Sequence, residues 1–316
     1  MSKKVTKNNT IVKEWGVKTN IKNPKEHFKI KEISKYMDFE TAANISGSKF
    51  VILLGELAKL ERSLGNFMLN THIEESKYTE VSPPLLVNSK SMFGTGQLPK
   101  FSKDCFKTNN DKWLIPTSEV PLTNLVREKI LQESQLPLRF CAYTPCFRLE
   151  AGSAGKSNKG MIRQHQFSKV EMVSIIKPEE ENNEHKKMIK SAERILQLLE
   201  LPYRIVLLSS TETGESSRIT YDIEVWIPSK KSYIEISSCS SMGDYQSRRM
   251  KTKFKEIKEN KKNKYVYTLN GSGIAVGRTI VAILENYQQE NGNIKIPKII
   301  RPYMKKEIIK LNDFFI

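Results

Sequence analysis

Between Ser48 and Asn70 the apolar residues Phe50, Leu53, Leu54, Leu57, Leu60, Leu64, Phe67 and Met68 recur at intervals of three and four. That spacing predicts an amphipathic helix resting on a core. Glu179 to Leu199 predicts a second helix on the same grounds, and 121–133 a third, with Pro121 in its first turn. A last helix, with apolar residues at Ile280, Ile283, Leu284 and Tyr287, is read as capped by Ser272 and ended by the breakers Gly292 and Pro297. Strands are predicted at Tyr78 to Val81, stopped by Pro83 and Pro84, and as a long hairpin of 139–150 and 161–176 around the flexible stretch Ala151 to Gly160. Three more follow at Tyr203 to Leu208, Tyr221 to Ile227 and Ser232 to Ser237, while Lys251 to Lys264 reads as a solvated helix or loop. Residues 1–26 are polar and Lys-rich, a lead that ends near Pro24, so the folded body is expected over 27–316. Hairpin-joined strands with helices at both ends predict an α+β fold, a largely antiparallel sheet flanked by helices.

Composition narrows the class. With 316 residues, 38% of them hydrophobic and 28% charged, the chain can build a globular core. No apolar run reaches the roughly 18–20 residues of a membrane-spanning helix, so no membrane partner is expected. The 52 basic and 35 acidic residues give +17, which draws phosphate-rich partners. A bias toward Lys, Asn and Ile accounts for that excess equally well, and contacts needing a planar fork are expected from the 12 Arg. The four cysteines form no CxxC pair and the four histidines no HExxH, so buried thiols are expected and a protein-held zinc is not. Met1-Ser2-Lys3-Lys4 has no signal-peptide core, and a cytoplasmic location is expected.

Four stretches carry candidate chemistry. In the hairpin, Arg148 and Glu150 share one face of the first strand, and Arg163, His165, Phe167 and Glu171 one face of the second. Phe167 and Glu171 then lie roughly 13 Å apart, a span that suits a stacked adenine at one end and a small charged group at the other. Thr117 and Glu119 put two polar groups at i and i+2 after Trp113-Leu114-Ile115. Glu235 stands on the otherwise apolar Tyr233-Ile234-Glu235-Ile236, where a hard oxygen with substrate phosphates suits Mg²⁺. Leu269 to Arg278 is glycine-rich and is read as a helix start that admits close backbone approach. Singly, each has a plain structural reading: an ion pair, a core aromatic, a helix cap.

Together, and in this order, they resemble seryl-tRNA synthetase of the bacterial and organellar type, a class II aminoacyl-tRNA synthetase. The resemblance runs from about Asn9 to Met304. It is carried by Ile45-Ser46-Gly47-Ser48-Lys49-Phe50, Gly94 to Phe101, Ile115 to Asn124, Cys146 to Glu171, Leu269 to Arg278 and Arg301-Pro302-Tyr303-Met304. It implies that Arg148 contacts the serine carboxylate and the α-phosphate, and that Arg278 covers the nucleotide. Thr117, Glu119, Arg148, Glu171, Asn270 and Ser272 would bind serine. Arg148, Leu149, Glu150, Phe167, Glu235, Ile236, Ser237, Ser238 and Arg278 would bind ATP, with Glu235 and Ser238 on its Mg²⁺. The implied reaction is ATP-dependent formation of seryl-adenylate, then transfer to the acceptor end of tRNA(Ser), with no protein nucleophile.

The segment Thr71 to Pro84 resembles the first class II motif, which implies a homodimer. Family members also carry a long N-terminal two-helix arm that grips tRNA. No such heptad pattern stands in this sequence, so the arm is expected to be absent and tRNA affinity reduced. The loop Ala151 to Gly160, with Lys156 and Lys159, could still reach the acceptor end. Two alternatives stay open: an armless ligase that loads an amino acid onto a carrier protein, and a non-catalytic RNA-binding or regulatory paralogue.

Overall fold

The computed structural model describes residues 8–151, 159–256 and 262–310. One eight-stranded sheet organises it. In chain order its strands are β1 (Thr10–Trp15), β2 (Thr79–Glu80), β3 (Leu138–Phe147), β4 (Gln166–Ile176), β5 (Tyr203–Leu207), β6 (Ile219–Ile227), β7 (Ser232–Gly243) and β8 (Tyr267–Ala275). They lie side by side as β1-β5-β6-β7-β8-β4-β3-β2. Every neighbouring pair is antiparallel except β2 with β3 at one edge.

The period of two along β4 sorts its side chains between two environments. Val170, Met172 and Ile176 join the main core with α1 (Gly55–Glu74), with α3 (Glu181–Leu198) and with α4 (Val276–Asn286), which cover that face. On the other face Val173 and Ile175 pack in a smaller cluster with Leu122, Val126 and Phe254, where Leu122 belongs to α2 (Glu119–Asn124). Phe167, Lys169 and Glu171 share that second face and line a cleft. Each fully buried aliphatic side chain contributes about 1.5–3 kcal/mol, so the three-helix face dominates stability and leaves the other face available for polar work. Helix α1 comes close enough to β3 that a Cβ on Gly65 would lie 2.3 Å from Tyr143 Cζ.

Several expected elements are corrected. The lead over 1–26 contains β1, which pairs with β5 and stacks Trp15 on Tyr203 at 5.4 Å between ring centroids. As an edge strand with Ile11 and Val12 half exposed, it is held by ladder hydrogen bonds and carries no apolar alternation to read. The first long helix begins at Gly55 and not at Ser48, because Ile52–Leu53 pairs with Met37–Asp38 as a small ribbon. The helix expected over 121–133 spans only Glu119–Asn124. Glu128 takes φ 57°, and Ile130–Gln132 pairs in parallel with Lys253–Lys255. The charge run 251–264 therefore holds short strands at Lys253–Lys255 and Lys264–Tyr265, with 257–261 outside the described residues. The hairpin strands end at Phe147 and begin at Gln166, shorter than expected. Ser272 is not a helix cap: it lies inside β8, and α4 starts at Val276 after Ala275. All four cysteines are buried thiols, and burial pushes Cys239 up to about 12. No helix among the described residues is long and apolar enough to cross a membrane.

Candidate active site

The cleft has a volume of about 700 Å³. Of the residues singled out in the sequence it gathers Thr117, Glu119, Arg148, Glu150, Phe167, Glu171, Glu235, Ile236, Ser238, Asn270, Ser272 and Arg278. Leu149 and Ser237 do not line it. The Leu149 N–H donates to the Asp104 carbonyl, and the buried Ser237 hydroxyl donates to the Ser272 carbonyl at 2.6 Å, beneath the floor.

One end of the cleft is a buried polar floor. Thr117 Oγ1 donates to Glu171 Oε2 at 3.0 Å, and Lys169 Nζ donates to Thr117 Oγ1 at 3.1 Å while pairing with the Glu171 carboxylate. Glu119 Oε1 accepts from Gln246 Nε2 at 2.6 Å and from Asn270 Nδ2 at 2.9 Å. Burial first, and then the nearby Glu171 charge, push the Glu119 carboxyl up to about 7. Two carboxylates ringed by donors, one of them paired with Lys169, thus line this end of the cleft. Lys169 and Gln246 are parts of this floor that the sequence reading missed. Lys169 stands midway between Phe167 and Glu171 on the same strand face, a signal available from the period of two; Gln246 carried none.

Arg148 bridges the two ends. Its Nε donates to the Pro116 carbonyl at 3.1 Å and its guanidinium carbon sits 5.3 Å from the Phe167 ring centre. Among the described residues no carboxylate lies within ion-pair distance of it. Arg163 and His165 were expected on β4 but precede it. Arg163 pairs with Glu150 at 2.7 Å and lines the cleft, whereas His165 bonds the Arg148 carbonyl at 2.9 Å and lies against Phe50.

At the far end Arg278 Nη1 lies 3.3 Å from Glu235 Oε1 and donates to the Glu235 carbonyl at 2.8 Å. Asp222, opposite Ser238 on the neighbouring strand, has one buried carboxylate oxygen without a partner. Burial, and after it the Glu235 charge, push the Asp222 carboxyl up to about 7. Glu235 and Ser238 are hard oxygen donors beside the buried Asp222 carboxyl, a setting that fits Mg²⁺. No group of three His, Cys, Asp or Glu among the described residues could hold a metal alone, so a cation here would take its remaining ligands from phosphate and water.

Residues 101–287 match the family model of the tRNA synthetase class II core domain (G, H, P, S and T). The chain is 55% identical over 296 residues to the serine–tRNA ligase of Phenylobacterium zucineum, covering 94% of this chain and 69% of that protein. The chain belongs to the serine–tRNA ligase family. The serine–tRNA ligase of Maricaulis maris is 56% identical over 293 residues, 92% of this chain and 69% of the relative; for that of Brucella abortus (strain S19) the span is 66% of the relative. Among solved structures, seryl-tRNA synthetase from Pyrococcus horikoshii complexed with ATP superposes with a TM-score of 0.93 at 36% identity, covering 98% of this chain and 75% of that one. Cytoplasmic serine–tRNA ligase from Naegleria fowleri in complex with AMP gives 0.91 at 28% identity, over 99% and 76%. The α+β fold with its largely antiparallel sheet is thus that of serine–tRNA ligases, and the cleft is lined almost wholly by residues of the span that matches the core domain.

Proposed function

We propose that this cleft activates L-serine with ATP and passes the seryl group to the acceptor end of tRNA(Ser). The observation that carries the reading is the division of one cleft into two ends joined by Arg148: Thr117, Glu119, Lys169 and Glu171 at one, Phe167, Glu235 and Arg278 at the other. The serine ammonium lies by Thr117 and Glu119, while Glu171 and Ser272, with Asn270 nearby, recognise its hydroxyl and body. Adenine stacks on Phe167 with Glu150 beside its amino group, and Arg278 turns from Glu235 to the phosphates.

A serine carboxylate oxygen attacks the α-phosphorus, the bond to the bridging oxygen breaks, and pyrophosphate leaves with that electron pair. The terminal ribose hydroxyl of tRNA then attacks the acyl carbon and AMP departs. Arg148 holds the two anions together and neutralises the charge that grows on phosphate. Mg²⁺ held by Glu235 and Ser238 would supply further neutralisation of the phosphates when bound.

We further read residues 27–316 as one catalytic domain to which β1 adds a sheet edge, working in the cytoplasm as a homodimer through α1 and β2. Lys159 would approach the acceptor end. Lys156, on the same expected loop, falls in 152–158, outside the described residues. Serine-dependent ATP–pyrophosphate exchange tests the reading: exchange with serine and none with alanine is expected, and no exchange with serine would overturn it. Seryl transfer to tRNA(Ser) and not to a carrier protein is expected next.

The raised Glu119 carboxyl predicts a pH dependence. With a value of about 7 it is largely ionised at pH 8 and largely protonated at pH 6. Serine's ammonium favours the ionised form, so below about 7 binding must expel a proton, and the serine KM should rise by up to roughly tenfold per pH unit. Glu119→Gln should weaken binding and flatten the profile. A serine KM that is constant from pH 8 to 6 in the parent protein would contradict this.

A further inference from the structure

Strand β8 brings Asn270, Ser272 and Ala275 to the cleft and α4 adds Gly277 and Arg278, yet strict alternation would place Ile274 there after Ser272. Pairing with β4 explains the difference. Ser272 stands opposite Glu171 and Ala275 opposite Lys169, so Gly273 and Ile274 together face the single residue Val170. This bulge reverses the inside-outside parity of the strand. Ile274 is consequently fully buried in the main core, and Ala275 takes its place on the cleft side. The arrangement is strained, because Ile274 adopts φ +127°, a region that a β-branched side chain shuns.

Two side chains hold the bulged backbone. The Ser272 carbonyl accepts from Ser237 Oγ, as described above. The Gly273 carbonyl accepts from Nε2 of His72, at 2.7 Å, on the face of the sheet that α1 covers. A carbonyl only accepts, so Nε2 must carry the proton. His72 is completely buried on α1, and burial lowers its pKa to about 4, which keeps it neutral. Residue 273 also has to be small, since a Cβ there would lie 2.6 Å from His72 Nε2. No step of the chemistry set out above uses this histidine.

We propose that His72 is a positioning residue of the active site: its hydrogen bond to the Gly273 carbonyl holds the bulge that brings Ala275 to the cleft side and starts α4 where Arg278 reaches the nucleotide. The proposal rests on the reading of the cleft as a serine-activating site. His72→Leu removes the donor and keeps an apolar body, so the strained segment relaxes and the start of α4, with Arg278, shifts. His72→Gln offers an amide N–H over a similar reach.

The test uses the full chain and measures serine-dependent ATP–pyrophosphate exchange well below the melting temperature of each variant. His72→Leu should lose kcat/KM by about 10²-fold per folded molecule, the scale of a misplacement near 1 Å, and His72→Gln should recover most of it. Crystal structures should show Ile274 leaving its positive φ in the leucine variant alone. The proposal is overturned if kcat and KM are unchanged in His72→Leu, if His72→Gln is as deficient as His72→Leu while melting with the parent, or if neither variant folds. Absence of exchange in the parent protein would instead sink the serine reading. The leucine variant's structure would then decide the positioning claim by itself, since an unmoved Ile274 and Arg278 refutes it.

Discussion

Arg148→Ala is expected to lower kcat/KM for serine-dependent ATP–pyrophosphate exchange by about 10²–10³-fold, the loss of about 2.7–4 kcal/mol that follows removal of one preorganised charge-stabilising group. The structure explains why one side chain carries so much. No carboxylate among the described residues lies within ion-pair distance of the guanidinium, which is fixed by the Pro116 carbonyl and the Phe167 ring. Its orientation is set by groups that leave its charge unspent, so no partner has to be displaced as the reaction proceeds. Arg148→Lys retains a cation but has no second edge with which to grip Pro116 while facing phosphate. It should recover less than about tenfold of the loss. Exchange within threefold of the parent in Arg148→Ala would remove the central role assigned to this residue.

Glu171→Ala should abolish measurable exchange with serine and with it the preference for serine over alanine. A site built to hydrogen-bond a substrate hydroxyl rejects the analogue lacking it by roughly 10⁴-fold or more, because buried polar atoms are otherwise left unpaired. Here the same substitution has a second effect. Lys169, with only 7% of its side chain exposed, loses its counter-charge, and breaking a buried pair from one side costs about 3–5 kcal/mol. A lower melting temperature is therefore expected beside the lost activity. The double variant Lys169→Met/Glu171→Ala separates the two effects: stability should return toward that of the parent, since both charges are gone, and activity should not. Near-normal exchange with serine in Glu171→Ala would refute the assignment.

Local information made parts of this molecule legible. The helix Glu181–Leu198 and the hairpin of β3 and β4 follow from short-range periodicity, and the structure places both close to the positions read from the chain. The edge strand β1 escaped because its partner β5 lies nearly two hundred residues away and an exposed edge needs no apolar alternation. Ser272 looked like a helix cap because Ser-Gly sequences often are; the pairing of β8 with β4 that makes it a strand residue is not written locally. The site shows the same split. Phe167 and Glu171 could be related by their spacing, but that Thr117, Glu119 and Asn270 converge on them depends on three chain segments meeting, which was visible only through resemblance to a family.

At the floor end of the cleft Glu119, Glu171 and Lys169 lie with Arg148, which reaches over from the middle. When Glu119 is ionised these four formal charges cancel, so this end as a whole is neutral. A zwitterion brings equal and opposite charge and leaves that balance intact, each of its poles meeting a complement. Ethanolamine, which has only the ammonium, or glyceric acid, which has only the carboxylate, would strand one unit of charge away from water. On the proposed reading of the cleft, this balance favours an amphoteric guest over either singly charged analogue.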